Sequence, residues 1–216
     1  MSTLNDVVIN KLSGGLGRRN PEQDMVSGLL FDGVSTTKLA LDKIERLASL
    51  EDAESLGITA DYDVNGQSAY YQIQQFFRMN PSGDLYIMAT AKGSAYEDIV
   101  EKAMVMQEQS NGNIRQLAVI FSDNALFTAT RDAVTKAQTK ATLGYKNFMP
   151  FEIILEGKGF DPDTAPSLAD LSAENVSVVI AMDVEKAFAQ KLFQKGATKE
   201  TDKLYVLAPE ESLVET

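Results

Sequence analysis

The sequence has no cysteine and no histidine. Without cysteine there is no disulfide framework and no thiolate ligand, so folding rests on packing, in agreement with a reducing compartment. Without histidine the usual general base near neutral pH and the commonest metal ligand are both missing. A Ser-His-Asp triad, a Cys-His pair and a histidine zinc site are therefore excluded, while carboxylate or lysine chemistry is still allowed. No stretch approaches roughly 18 consecutive apolar residues, and residues 1–11 lack the basic-then-apolar layout of a signal peptide. The expectation is a soluble cytoplasmic protein with no signal peptide, no transmembrane segment and no direct membrane insertion. Positive charge is scarce too: 20 Lys and Arg face 31 Asp and Glu, for a net charge of −11. That balance opposes a phosphate backbone, so no nucleic-acid partner is expected.

What is present is ordinary for a folded protein. Apolar residues make up 44% and charged residues 24% of 216, and a chain of this length buries roughly 70% of its unfolded surface. Residues 6–11 (DVVINK) read as a short strand, and Gly14, Gly15, Gly17 and Pro21 end regular structure after it. Residues 26–31 are a second apolar run, closed by the turn dipeptide Asp32-Gly33. Ser49 reads as the N-cap of a helix with acidic first-turn residues, stopping at Gly57. From residue 65 the chain alternates between helical and strand patterns. Ala69, Tyr70, Ile73, Phe76 and Phe77 share one helical face, and residues 80–83 (NPSG) end that helix. Residues 85–89 (LYIMA), 117–121 (LAVIF), 151–155 (FEIIL) and 176–181 (VSVVIA) read as buried strands. Between them lie a helix carrying Ile99, Val100, Ala103, Met104 and Met106 and another over residues 124–143, which Asp123 and Asn124 are placed to cap. Residues 184–193 read as a last helix.

Short apolar strands separated by amphipathic helices predict an α/β fold: a mainly parallel sheet with helices on both faces, plus N- and C-terminal extended arms. The expected division is residues 1–35 as N-terminal arm and strands, 36–193 as the α/β core domain and 194–216 as a C-terminal arm. The residues expected to make contacts between subunits are Val7, Val8 and Ile9 in the first strand, the Arg18-Arg19 pair, and Tyr205 in the final arm. On an acidic protein, that arginine pair suits a contact with another copy of the chain.

The chemical motifs are thin. Asp61, Asp63, Asn65 and Gly66 open like a calcium loop, but Gln72 stands where a bidentate carboxylate is needed. They are weak metal candidates, better read as a capping turn, and no metal or cofactor is expected. Residues 35–38 (STTK) and 122–124 (SDN) match two penicillin-binding motifs by chance, since Lys158 is followed by Gly159 and Phe160 where Thr-Gly is required. Gly14, Gly15 and Gly17 lack the Gly-Lys-Ser/Thr of a phosphate loop. Asp32, Asp84 and Asp123 lie near strand or turn ends. An α/β small-ligand-binding protein or enzyme would place acids there, at the carboxyl ends of the strands, with Asp84 and Asp123 as candidates. The expectation is no enzyme and no catalytic residue.

In order along the chain, residues 4–11 (LNDVVINK), 14–18 (GGLGR), 27–31 (SGLLF), 49–57 (SLEDAESLG), 70–77 (YYQIQQFF), 80–83 and 85–87 resemble sheath proteins of contractile phage tails and related injection systems, especially the Bacteroidetes type. The resemblance covers residues 4–185. It implies a structural subunit that polymerises around an inner tail tube as a helical or ring homo-oligomer, with tube and baseplate proteins as partners and the virion tail or the bacterial cytoplasm as its location. It also implies arms that pair as strands with neighbouring subunits, agreeing with the arm reading. Sheath proteins usually carry a further tube-facing domain, and the expectation from the resemblance is that this chain, which stops soon after Ala181, lacks it.

Overall fold

The apolar runs pair side by side into one sheet. A computed structural model describes residues 26–65, 68–122, 126–160, 163 and 165–180. The expected strand at residues 6–11, the glycine loop, the helix at 184–193 and the C-terminal arm lie outside the described residues. Six strands are present among those described: β1 (Val26–Gly33), β2 (Ile44–Leu47), β3 (Asp84–Ala91), β4 (Gln116–Ile120), β5 (Glu152–Glu156) and β6 (Val176–Val179). Their order is β2-β3-β1-β4-β5-β6, and every pairing is parallel except β2 with β3. The fold is α/β with a mostly parallel sheet. β1, which the sequence reading groups with the N-terminal arm, is the sheet's central strand, with β3 on one side and β4 on the other. β1 is therefore part of the core: a run buried on both faces, such as Leu29, Leu30 and Phe31, belongs in the middle of a sheet.

Among the described residues, five α-helices connect the strands: α1 (Leu50–Ser55), α2 (Ala69–Met79), α3 (Tyr96–Glu101), α4 (Ala103–Gln109) and α5 (Phe127–Lys146). Right-handed crossovers decide which face each one covers. The β1-to-β3 connection runs one way across the sheet and places α1 and α2 on one face, where Ala53, Ile73 and Phe77 pack with Leu29, Phe31, Leu85 and Ile87. The connections to β4 and β5 run the other way and place α3, α4 and α5 on the opposite face. There Ile99, Val100, Met106, Val134 and Ala137 pack with Leu30, Met88, Leu117, Val119, Ile153 and Leu155.

The expected boundaries hold with local differences. Ser49 caps α1 as predicted, and Gly57 supplies the left-handed turn after it at φ +87°. The helix read as one unit around residues 99–106 is two, divided at Lys102. α5 starts at Phe127 with Leu126 as its N-cap and no side-chain cap bond, so the cap expected from Asp123 and Asn124, which lie outside the described residues, falls too early. β2 is an addition: IERL is too short and polar to stand out by period. It forms because its backbone pairs with β3 and Leu47 reaches the core. Among the described residues, no helix is long and apolar enough to cross a membrane.

Candidate functional site

In an open parallel sheet the natural binding crevice lies at the carboxyl ends of the strands, where the chain's crossovers diverge. Here that point falls between β1 and β4. Asp32 lies at the carboxyl end of β1, and Ser122 follows β4. The Ser122 N–H donates to Asp32 Oδ1 at 2.7 Å and the Ser122 hydroxyl donates to Asp32 Oδ2. Asp32 is 1% exposed, so this carboxylate ties two strand ends together instead of facing an open crevice.

A second buried carboxylate repeats the device one strand over. Glu156, the last residue of β5, accepts the Phe121 N–H at Oε2 at 3.0 Å, and Lys158 Nζ lies 3.3 Å from Oε1. Both partners of this ion pair are buried, at 1% and 2% exposure for the whole residues. Burial pushes the Glu156 carboxyl up from its ordinary range, against the pull of the Lys158 ammonium. The helices join the same knot. The Tyr96 hydroxyl of α3 donates to the Glu156 carbonyl at 2.8 Å, its ring stacks on Phe121 at 4.8 Å, and the Thr130 hydroxyl of α5 donates to the Lys158 carbonyl at 3.1 Å. Burial and then the Glu156 charge hold the Tyr96 phenol well above its usual range, so it stays a donor.

A general acid or base must come within about 3 Å of a substrate proton. These groups are instead spent on backbone groups and on one another, and the described residues around them leave them covered. On the other face, the Tyr62 hydroxyl accepts the Val34 N–H at 3.1 Å and donates to the Val34 carbonyl at 2.8 Å, fixing the exit of β1. Burial pushes that phenol up to about 12. The arrangement fastens the top of the sheet, and the chemistry visible in it is structural.

Asp84 stands elsewhere. It opens β3 at the amino end of the sheet, where Arg46 donates to it through Nε at 3.2 Å and NH2 at 2.6 Å. An acid at that end cannot serve a crevice at the carboxyl ends, so its candidacy there is corrected; Asp123 lies outside the described residues. Asp61, Asp63 and Asn65 sit in a 3-10 turn, Ala60–Asn65. Asp63 is fully buried and accepts the N–H groups of Tyr70 at 3.0 Å and Tyr71 at 2.8 Å, which caps α2. Among the described residues no group of three or more acidic side chains gathers as a metal site would. Val7, Val8, Ile9, Arg18, Arg19 and Tyr205 lie outside the described residues.

The sequence reading missed the Glu156–Lys158 pair, although a signal was present: two charges flank Gly157 directly after an apolar strand. It also met Ser122 and Lys158 only as parts of a chance motif.

Among the described residues, the surfaces that remain open are the sheet edges and one face. Among those residues β6 has a neighbour on one side, β5, and β2 likewise only β3. Over β4, β5 and β6, the face that α1 and α2 cover elsewhere carries no described helix. A groove of about 320 Å³ runs between α2 and this bare area, lined among others by Gln72, Phe76, Met79, Ala118 and Ile154. Gln72 is 7% exposed, and its Nε2 has no partner among the described residues.

A solved structure, the cryo-EM structure of the anti-feeding prophage (AFP) helical sheath in the contracted state, is similar to this chain at 17% sequence identity and a TM-score of 0.45. The likeness covers 71% of this chain and 38% of that one, and it is too loose to carry a functional argument. No curated protein matches the chain. A family model does: the one described as DUF2586, N-terminal domain, matches residues 4–201, and the chain belongs to that family.

Proposed function

We propose that this chain is a sheath-like structural subunit of a contractile phage tail or related injection apparatus, polymerising around an inner tube through strand-donating arms. The observation that supports the reading most is the ordered set of segments in residues 4–185 that resemble sheath proteins. The geometry is compatible with it. β1 is paired on both sides, whereas β6 has no neighbour beyond β5 among the described residues, an edge that can accept a strand from a neighbouring subunit. A head-to-tail contact of that kind generates helical or ring assemblies. Val7, Val8, Ile9, Arg18, Arg19 and Tyr205 are the proposed contact residues, and tube and baseplate proteins the proposed partners. Electron microscopy and light scattering of the purified chain, alone and with a tube protein, test this. Rings, helices or tube-bound particles are expected, and a strictly monomeric chain indifferent to tail components overturns it.

One observation favours a second reading, a small-ligand-binding protein. The sheet places Asp32 at the point where doubly wound folds bind ligands. A nucleotide, sugar or divalent ion would then raise the melting temperature by mass action. The commitment of Asp32 to Ser122 weighs against it, and no shift across a broad ligand panel removes it.

A further inference from the structure

Glu156 and Lys158 are buried so deeply that keeping a charge on each is expensive unless the remaining lone pairs and protons are satisfied. Here they are satisfied unevenly. Oε2 of Glu156 holds the Phe121 N–H at 3.0 Å. Oε1 lies 3.3 Å from Lys158 Nζ, but without hydrogen-bond geometry, and it has no hydrogen bond among the described residues. The carboxyl thus presents one oxygen fixed by a backbone donor and another turned to an amine. Both backbones are held in place as well: the Tyr96 hydroxyl binds the Glu156 carbonyl and the Thr130 hydroxyl binds the Lys158 carbonyl. The surroundings favour the uncharged acid, through burial first and the charge of Asp32 besides. A buried pair of this kind sheds its desolvation cost by passing the ammonium proton to the carboxylate, which leaves a neutral amine against a neutral acid.

We propose that Glu156 and Lys158 are a self-modification site, joined after folding by an isopeptide bond between the Lys158 Nζ and the Glu156 Cδ. The ammonium first gives one proton to Oε1. The neutral amine then attacks Cδ, and the negative charge that develops on Oε2 falls where the Phe121 N–H already donates. Collapse of the tetrahedral intermediate breaks the Cδ–Oε1 bond, and Oε1 leaves as water with its own proton and a second one from Nζ. One N–C bond forms, one C–O bond breaks and one water is released, so the step needs no oxidant, reductant or other reactant. Contact between the two groups is supplied by the fold, which replaces a chance encounter in solution. The product is a neutral amide in place of two buried charges, and its oxygen keeps the Phe121 N–H. The ring closes over only three residues, so it constrains the unfolded chain little. The bond lies within one subunit and is independent of the assembly reading.

A tryptic map of the purified full chain, digested after denaturation, tests this directly. Trypsin cuts after a free lysine and not after an acylated one. Between Lys146 and Lys186 the chain has a single lysine or arginine, Lys158, so an unlinked chain yields peptides 147–158 and 159–186. The bond blocks that cut and yields one peptide, 147–186, lighter than its sequence mass by one water. Fragmentation of that peptide should leave Glu156, Gly157 and Lys158 together as an unbroken ring. Lys158→Arg should restore both shorter peptides at their full sequence masses, a readout that holds whether or not the variant folds well. Complete cleavage after Lys158 in the parent shows an ion pair only and overturns the proposal. A missed cut without the loss of water overturns it too, as does a loss of water that persists in Lys158→Arg, which places the dehydration elsewhere.

Discussion

The two helical layers are held to the sheet by different means. On the α1–α2 face the helix starts are capped by side chains: Ser49 and Asp52 form a reciprocal capping box on α1, and Asp63 receives two N–H groups at the start of α2. On the α3–α5 face no N-cap residue makes a side-chain cap bond. That layer relies on burial and on polar pins from its helices to the strand ends, through Tyr96 and Thr130. Buried area accounts for the contrast: α3, with six residues like α1, buries Tyr96, Ile99 and Val100. α1 has six residues and buries only Ala53, so it is marginal unless its orphan N–H groups are satisfied. α5 has twenty residues, and its buried stripe runs from Phe127 to Gly144. Where the buried stripe is long, caps are dispensable.

The largest expected effect strikes the pins. Lys158→Met leaves Glu156 as an uncompensated buried acid and should destabilise the protein by about 3–5 kcal/mol in urea unfolding. Pairing it with Glu156→Gln should recover most of that loss, because two apolar or neutral partners no longer need each other. A loss below about 1 kcal/mol for Lys158→Met alone would mean the ion pair is solvated, and the contrast between layers would lose its polar half. Next in size is Ile99→Ala. Ile99 is fully buried in uncapped α3, so the substitution should cost about 2–5 kcal/mol, more than the loss of any single cap.

These sites differ in how visible they were in the sequence. β3, β4 and β5 were legible because continuous apolar runs of four to six residues between helical patterns report two-sided burial. The start of α1 was legible because capping is local: Ser49 and Asp52 are three residues apart. β2 was not, since its partner β3 lies about forty residues on and its side chains are mixed. The place of β1 at the centre of the sheet was hidden for the same reason, as pairing partners are set by tertiary structure. The pins were the least legible. Tyr96 to Glu156 spans sixty residues and Asp32 to Ser122 ninety, so no local pattern brings them together.

A smaller, pH-dependent effect belongs to the capped layer. Burial pushes the Asp63 carboxyl up from 3.8 to about 7, outweighing the N–H groups of Tyr70, Tyr71 and Ala69 that pull it down. A carboxyl whose folded value lies above its unfolded one binds its proton more tightly in the native state. Its contribution is thus fully present below the unfolded value and fades as pH rises through about 7. Asp63→Asn keeps an acceptor for α2 without the titration. Between about pH 5 and about pH 8 the parent should lose on the order of 1–3 kcal/mol relative to that variant in matched urea titrations. Parallel curves for the two proteins would show that the N–H groups, not burial, govern this cap.

The smallest effect isolates capping from everything else. Ser49 accepts the Asp52 N–H at 3.3 Å, while Asp52 Oδ2 receives the N–H groups of Ser49 at 3.0 Å and Ala48 at 2.8 Å. Ser49→Ala removes one half of this box and leaves the other, so about 1 kcal/mol should be lost. Ser49→Asn restores a side-chain acceptor at the same position and should recover most of it, which a packing defect would not allow. The matching experiment on the other layer supplies an acceptor where none exists: Ala95→Ser at the N-cap of α3. Ala95 already has extended backbone at φ −65° and ψ 152°, so the new hydroxyl can reach the first-turn N–H groups at little conformational cost. If burial alone suffices for that layer, the gain should stay within about 0.5 kcal/mol; a gain matching the Ser49→Ala loss would show that α3 had been in need of a cap all along.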